Sequence, residues 1–159
     1  MLISPESLAV IGGAIALAGG LAGSAIGIGI AGSAGAATLS EEPGQLRNVI
    51  LLASLPMTQT FYGLITLILI LTTVIGNLGE AANGEGMGFA VLGIGLITAA
   101  AEAFSGAYQG AVCASGISLL PKTKGRILTN SMMLAVFVEL IGVLGLVFAI
   151  MALALLGLF

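Results

Sequence analysis

"LAVFVELIGVLGLVFAI", residues 134–150, is apolar at every position except Glu139. The apolar run continues to Phe159, so it reads as a membrane-spanning helix, which needs about 20 such residues. A charge at the bilayer centre costs about 2.5–3.5 kcal/mol on insertion scales. No Lys or Arg lies in this run to pair with Glu139. The carboxylate must therefore be made neutral or put to use, and intramembrane ionisable groups are functional by default.

Composition extends this reading to the whole chain. Of 159 residues, 58% are hydrophobic and only 7% charged, where a soluble domain carries about 25% charged residues. The acids are all Glu, and there is no His. Cys113 is the single cysteine, so no internal disulfide forms and the usual zinc or haem ligand sets are excluded. Nucleic-acid binding has no basic patch to rest on. No Walker-type phosphate loop occurs, so this chain carries no catalytic site of its own for nucleotide chemistry. "MLISPES" lacks the basic stretch of a cleavable signal, and the first apolar segment is expected to remain in the mature protein.

Three short polar breaks, "SEEPGQLR", "GEAANGEG" and "PKTKGR", divide the chain into four apolar runs. They cover about Ser7–Leu39, Leu46–Leu78, Gly86–Leu120 and Ile127–Phe159. At about 50 Å each as helices, they exceed a hydrocarbon core of about 30 Å and must protrude or tilt. The predicted fold is all-α and integral to the membrane. All four basic residues, Arg47, Lys122, Lys124 and Arg126, fall in the first and third breaks. The excess of positive charge predicts that loops 40–47 and 120–126 are cytoplasmic. Both termini and "GEAANGEG" then face the opposite side.

The chain is also a repeat. Displaced by 81 residues, so that Ala9 falls on Ala90, Leu8–Gly44 aligns without gaps, and Gly12/Gly93, Ser24/Ser105, Gly29/Gly110 and Gly44/Gly125 match. Two tandem hairpins follow, residues 1–80 and 81–159, in the same orientation, as parallel repeats require. Glu139 has no counterpart in the first hairpin, which offers Met57 or Thr58 there. One carboxylate site per chain is expected.

The first and third runs are thin. Gly19, Gly23, Gly27, Ala31 and Gly35 recur every fourth residue in the first, and Gly93, Ala101, Ser105, Gly106 and Gly110 continue the theme in the third. Such stripes let backbones approach closely in lipid. The second and fourth runs are bulky. Thin helices inside thick ones suit a ring of subunits, and they also suit a compact bundle.

Polar residues gather at one depth. In "LPMTQTFYGL", Thr58 and Tyr62 share a helix face and Gln59 flanks it. Pro56 removes a backbone donor and is expected to free the carbonyl of Leu52. Gln109 and Glu139 lie about as far from the cytoplasmic ends of their own runs. One carboxylate, two amide oxygens, a hydroxyl and a backbone carbonyl form a hard-oxygen set with a single negative charge, suited to sodium. A proton needs only the carboxyl, so the surplus of oxygens favours Na+ over H+. Taken singly, Gln and Thr also bridge membrane helices, Pro56 also kinks them, and Tyr62 also packs.

"LPMTQTFYG", "AYQGAV" and "VELIGVLG" on a duplicated hairpin resemble the membrane rotor subunits of V-type rotary ATPases. The likeness is strongest to the proteolipid, or K, subunits of the sodium-translocating bacterial kind, and it covers essentially the whole chain. It implies a homo-oligomeric ring in a bacterial cell membrane, turning against a stator subunit and docking central stalk subunits, with one ion per protomer. It further implies that Glu139 is the ion-binding carboxylate, with Thr58, Gln59 and Gln109 as side-chain ligands. Leu55 would contribute a backbone carbonyl, and the Tyr62 hydroxyl would hydrogen-bond the carboxylate. The implied cargo is Na+, with H+ as the alternative.

Glu102 departs from that pattern. It lies seven residues before Gln109 on the same face, two turns or about 10 Å further from the cytoplasm. Three roles stand open: a protonated acid hydrogen-bonded between helices, a group facing water or headgroups inside the ring, or an additional ion site. Two other functions compete for the chain, a small proton-coupled secondary transporter and a structural, pore-forming oligomer. Against the transporter stand the few aromatic residues (5%, with no Trp) available to cradle a substrate.

Overall fold

The computed structural model describes residues 4–78 and 84–159. Most of the predicted outward loop "GEAANGEG" lies outside the described residues, as do residues 1–3. Helix α1 covers Pro5–Glu41. The second span begins with a 3-10 turn, Pro43–Gln45, and continues as α2 (Leu46–Ser54), a 3-10 turn (Leu55–Met57), α3 (Thr58–Leu69), a π segment (Ile70–Val74) and α4 (Ile75–Leu78). Helix α5 covers Gly84–Ser118, α6 is the short Leu120–Thr123, and α7 covers Leu128–Leu155. The spans of 37, 36, 33 and 28 residues are all long and apolar enough to cross a bilayer, and the described residues contain no strand.

The ends form for local reasons. Ser4 caps α1, its hydroxyl accepting the Ser7 amide at 3.2 Å, with Pro5 and Glu6 in the first turn. Gly157 closes α7 at φ +69 in the left-handed region. The Leu158 amide then bonds the Leu153 carbonyl at 3.1 Å, satisfying one of the helix's last acceptors.

Pro56 acts differently from the expectation. The Leu52 carbonyl is not left free, because the chain tightens into a 3-10 turn and the Leu55 amide bonds it. A cheap change of pitch recovers a hydrogen bond that lipid could not replace.

Two thin helices form the spine. The backbones of α1 and α5 touch along their glycines: a Cβ at Gly23 would lie 2.5 Å from the Glu102 carbonyl, and one at Gly106 would lie 2.6 Å from the carbonyl carbon of Gly23. Helix α3 packs on α1, α7 packs on α5, and α3 and α7 touch each other. The breaks meet as alternating hairpins require. Gly125 (φ +79) sits against Asn48 and Gln45, joining the first and third loops at one end. At the other end, Gly88 packs on Pro5, and the Asn77 amide donates to the Leu158 carbonyl at 3.2 Å.

Two apolar clusters fill the interior, one around Ile70, Val74, Val91 and Leu153, the other around Leu52, Val49, Ile117 and Ala135. The buried polar side chains near mid-helix, Ser24, Gln59, Glu102, Ser105 and Gln109, fall between the residues of these clusters in sequence. A polar layer thus crosses the bundle at mid-depth.

Candidate ion-binding site

The layer is built around Glu139 on α7. Its carboxylate accepts the Tyr62 hydroxyl at 3.0 Å on Oε1 and the Gln109 side-chain amide at 3.2 Å on Oε2. Tyr62 reaches it from α3 and Gln109 from α5, so three helices converge on one acid. Glu139 itself is half-buried, whereas Gln59 and Gln109 are fully buried.

Further hydrogen bonds orient these groups. The Gln59 amide nitrogen donates to Gln109 Oε1 at 3.0 Å and to Ser105 Oγ at 3.1 Å. This turns Gln59 Oε1 toward Thr58, whose single hydroxyl proton is shared between it and the Leu55 carbonyl, each at 3.3 Å. Leu55 lies in the 3-10 turn created by Pro56, so the break brings its carbonyl to the threonine. All six residues singled out in the sequence, Leu55, Thr58, Gln59, Tyr62, Gln109 and Glu139, thus join one hydrogen-bonded network. Its acceptors are all oxygens. Hydrogen bonds to a charged group contribute about 1.5–3 kcal/mol each, and Tyr62 and Gln109 donate the two that Glu139 accepts.

Ser105 joins the network without having been expected there, and Ser24 ties α1 to the adjoining turn of α3. Ser105 accepts from Gln59 and donates to the Val138 carbonyl at 2.9 Å, tying α3, α5 and α7 together. Ser24 accepts the Thr60 amide at 3.2 Å and the Thr60 hydroxyl at 2.9 Å. It thereby gives an acceptor to an amide in the first turn of α3, just after the break. The available signal is the Ser24/Ser105 match of the repeat, which marks a small polar residue kept at equal depth in both hairpins.

Glu102 is corrected in two respects. It makes no hydrogen bond between helices, since neither carboxyl oxygen has a partner, and it does not face water or headgroups, since it is fully buried. Its carboxyl lies against α7 at Gly142 and Gly145.

Comparison with known proteins agrees with this architecture. The family model for the C subunit of ATP synthase matches twice, over residues 11–70 and 92–152. The chain is 37% identical over 126 residues to the V-type sodium ATPase subunit K of Enterococcus hirae, covering 79% of this chain and 76% of that protein. It is 38% identical over 141 residues to the A-type ATP synthase subunit K of Methanocaldococcus jannaschii, covering 87% of this chain and 60% of that longer protein. Four membrane-spanning helices in tandem hairpins, each hairpin matching the family model, together with these relatives, show that the chain belongs to the family of ATP synthase C subunits, as a K-type proteolipid that assembles into the rotor ring of a rotary ATPase.

Proposed function

We propose that each protomer carries one Na+ at Glu139 and moves it past a stator during ATP-driven rotation. The observation that carries this reading is the all-oxygen surround of a single half-buried carboxylate: Thr58, Gln59, Gln109 and the Leu55 carbonyl in one network with Glu139. The relative in Enterococcus hirae, named as a sodium ATPase subunit, supports the same cargo. Sodium bound there cancels the charge of Glu139, and the neutral site crosses lipid at low cost. At the stator, water and a positive group favour the ionised carboxylate, so unloading and rotation are linked. Tyr62 and Gln109 hold the carboxylate in place through both states.

The side that carries loops 40–47 and 120–126 is proposed as cytoplasmic, in a bacterial cell membrane, with both termini opposite. The basic residues of these loops and the packing of Gly125 on Asn48 support one shared positive face. That face, with Arg47 and Lys122–Arg126, would receive the central stalk. The secondary-transporter reading falls away with the family.

Proton carriage is the second reading, and one observation favours it. Gln59 Oε1 and Gln109 Oε1 already accept side-chain donors, and a proton would leave those bonds undisturbed. Carbodiimide labelling of Glu139 at fixed pH separates the two. Sodium is expected to slow labelling at least tenfold, because the ion occupies the carboxylate that the reagent must attack. Labelling indifferent to sodium and slowed only by raising the pH would assign the site to protons.

Replacing Tyr62 with Phe removes one charge-assisted bond to Glu139 and leaves the ring in place. The sodium concentration needed for half-protection should rise about tenfold, the equivalent of about 1.4 kcal/mol. An unchanged protection curve would show that the hydroxyl does not hold the carboxylate.

A further inference from the structure

Among the described residues, Glu102 is the one place where buried side-chain polar atoms lack any partner. It is fully buried on α5, and both carboxyl oxygens are unpaired. The opposite helix is shaped to receive it. A Cβ at Gly142 would lie 2.7 Å from Glu102 Oε2, and one at Gly145 would lie 3.2 Å from Oε1. Two glycines three residues apart on α7 therefore form a seat for the carboxyl head. The network around Glu139 makes no hydrogen bond to it.

What occupies this seat follows from charge and donor number. No cation is at hand, since Arg47, Lys122, Lys124 and Arg126 all lie in the two loops at one end of the bundle. Helix α1 meets the Glu102 backbone at Gly23, and it carries no basic residue. Helix α3 contributes Tyr62 and α7 contributes Glu139 as titratable groups, and these two are bonded to each other. An ionised, unpaired carboxylate in such surroundings neutralises itself instead of persisting. An alkali cation would need several oxygens. The side-chain oxygen beside the seat is Ser105 Oγ, 3.2 Å from where a Gly142 Cβ would stand, and it is already bonded to Gln59 and Val138. A proton needs one carboxyl oxygen and no cage.

We infer that Glu102 is a second cation-binding site of the protomer, holding one resident proton in the Gly142–Gly145 seat, separate from the ion carried at Glu139. Each protomer then holds two neutralised acids in the membrane, one that exchanges with each passage of the stator and one that does not. The inference draws on the proposed sodium loading only to keep Glu139 ionised during the test.

The test is infrared absorption of the purified full-chain ring at neutral pH and saturating sodium. The C=O stretch of a protonated carboxylic acid is expected in the wild type, lost completely in Glu102→Gln and retained in Glu139→Gln. ATP-driven ion uptake by the complete complex should stay within about twofold of wild type in Glu102→Gln, because the amide is a neutral match for the acid. No acid band in Glu139→Gln, or one that survives in the Glu102→Gln/Glu139→Gln double variant, overturns the inference. So does a band that sodium abolishes in Glu139→Gln, which would give the seat to the alkali cation. An acid band that survives in Glu102→Gln but is lost in the double variant would uphold the resident proton and sink the sodium reading alone. If Glu102→Gln does not assemble, Glu102→Leu removes the acid with an apolar group of similar size. Gly142→Ala keeps the acid and crowds its oxygen, so a shifted band is expected, and an unshifted one removes the seat.

Discussion

Rings of Glu139→Gln are expected to assemble and carry no sodium. Gln preserves the shape of the side chain and its place on α7, but it leaves a bound cation without its counter-charge. At about 4 Å and an effective dielectric of about 20, one such charge pair is worth about 4 kcal/mol, or about a thousandfold in affinity. ATP-driven sodium uptake by reconstituted complexes should therefore fall to background while the ring remains intact on gel filtration. Uptake above about a tenth of wild type would show that another group carries the ion. Glu102 is the sole other acid buried among the described residues.

The second large effect is structural and lies where α1 meets α5. Gly23→Val should abolish the stable ring, because the first atom of the new side chain meets backbone: 2.5 Å from the Glu102 carbonyl and 2.7 Å from that of Ala103. Neither carbonyl can swing aside, since both are committed to α5. The two helices must part by about 1 Å, and a gap of that size forfeits a quarter to a half of each contact's attraction. In lipid, where packing contacts replace the hydrophobic effect between helices, little else compensates. Recovery of detergent-resistant ring should drop at least tenfold, and recovery at the wild-type level would show that α1 and α5 do not pack at this pair.

The spans and the candidate site are legible in the sequence to different depths. Four apolar runs punctuated by "SEEPGQLR" and "PKTKGR" prescribe four spans, because the bilayer admits few other ways to satisfy backbone polar groups. The glycine stripe of the first run appears as backbone contact between α1 and α5, at Gly23 and Gly106. Leu55, Thr58, Gln59, Tyr62, Gln109 and Glu139 all stand out through residue type, spacing and family resemblance. Ser105 does not, because a serine in a small-residue stripe looks like packing until its neighbours are known. The fate of the Leu52 carbonyl is hidden for a related reason: spacing tells that Pro56 withholds a donor, and only the local pitch tells which amide replaces it.

Sequence alone determined the number of spans, their pairing into two hairpins, and the presence of one unbalanced acid on the last of them. These follow from hydropathy, charge and repetition, which act along the chain. The tertiary structure decided which way each polar side chain turns. Gln59 commits its amide hydrogens to Gln109 and Ser105, and Glu102 lodges in a glycine seat with no partner. A helical period specifies that a residue faces inward, but the rotation and depth of the neighbouring helix specify what it meets there, and neither is written in any one segment.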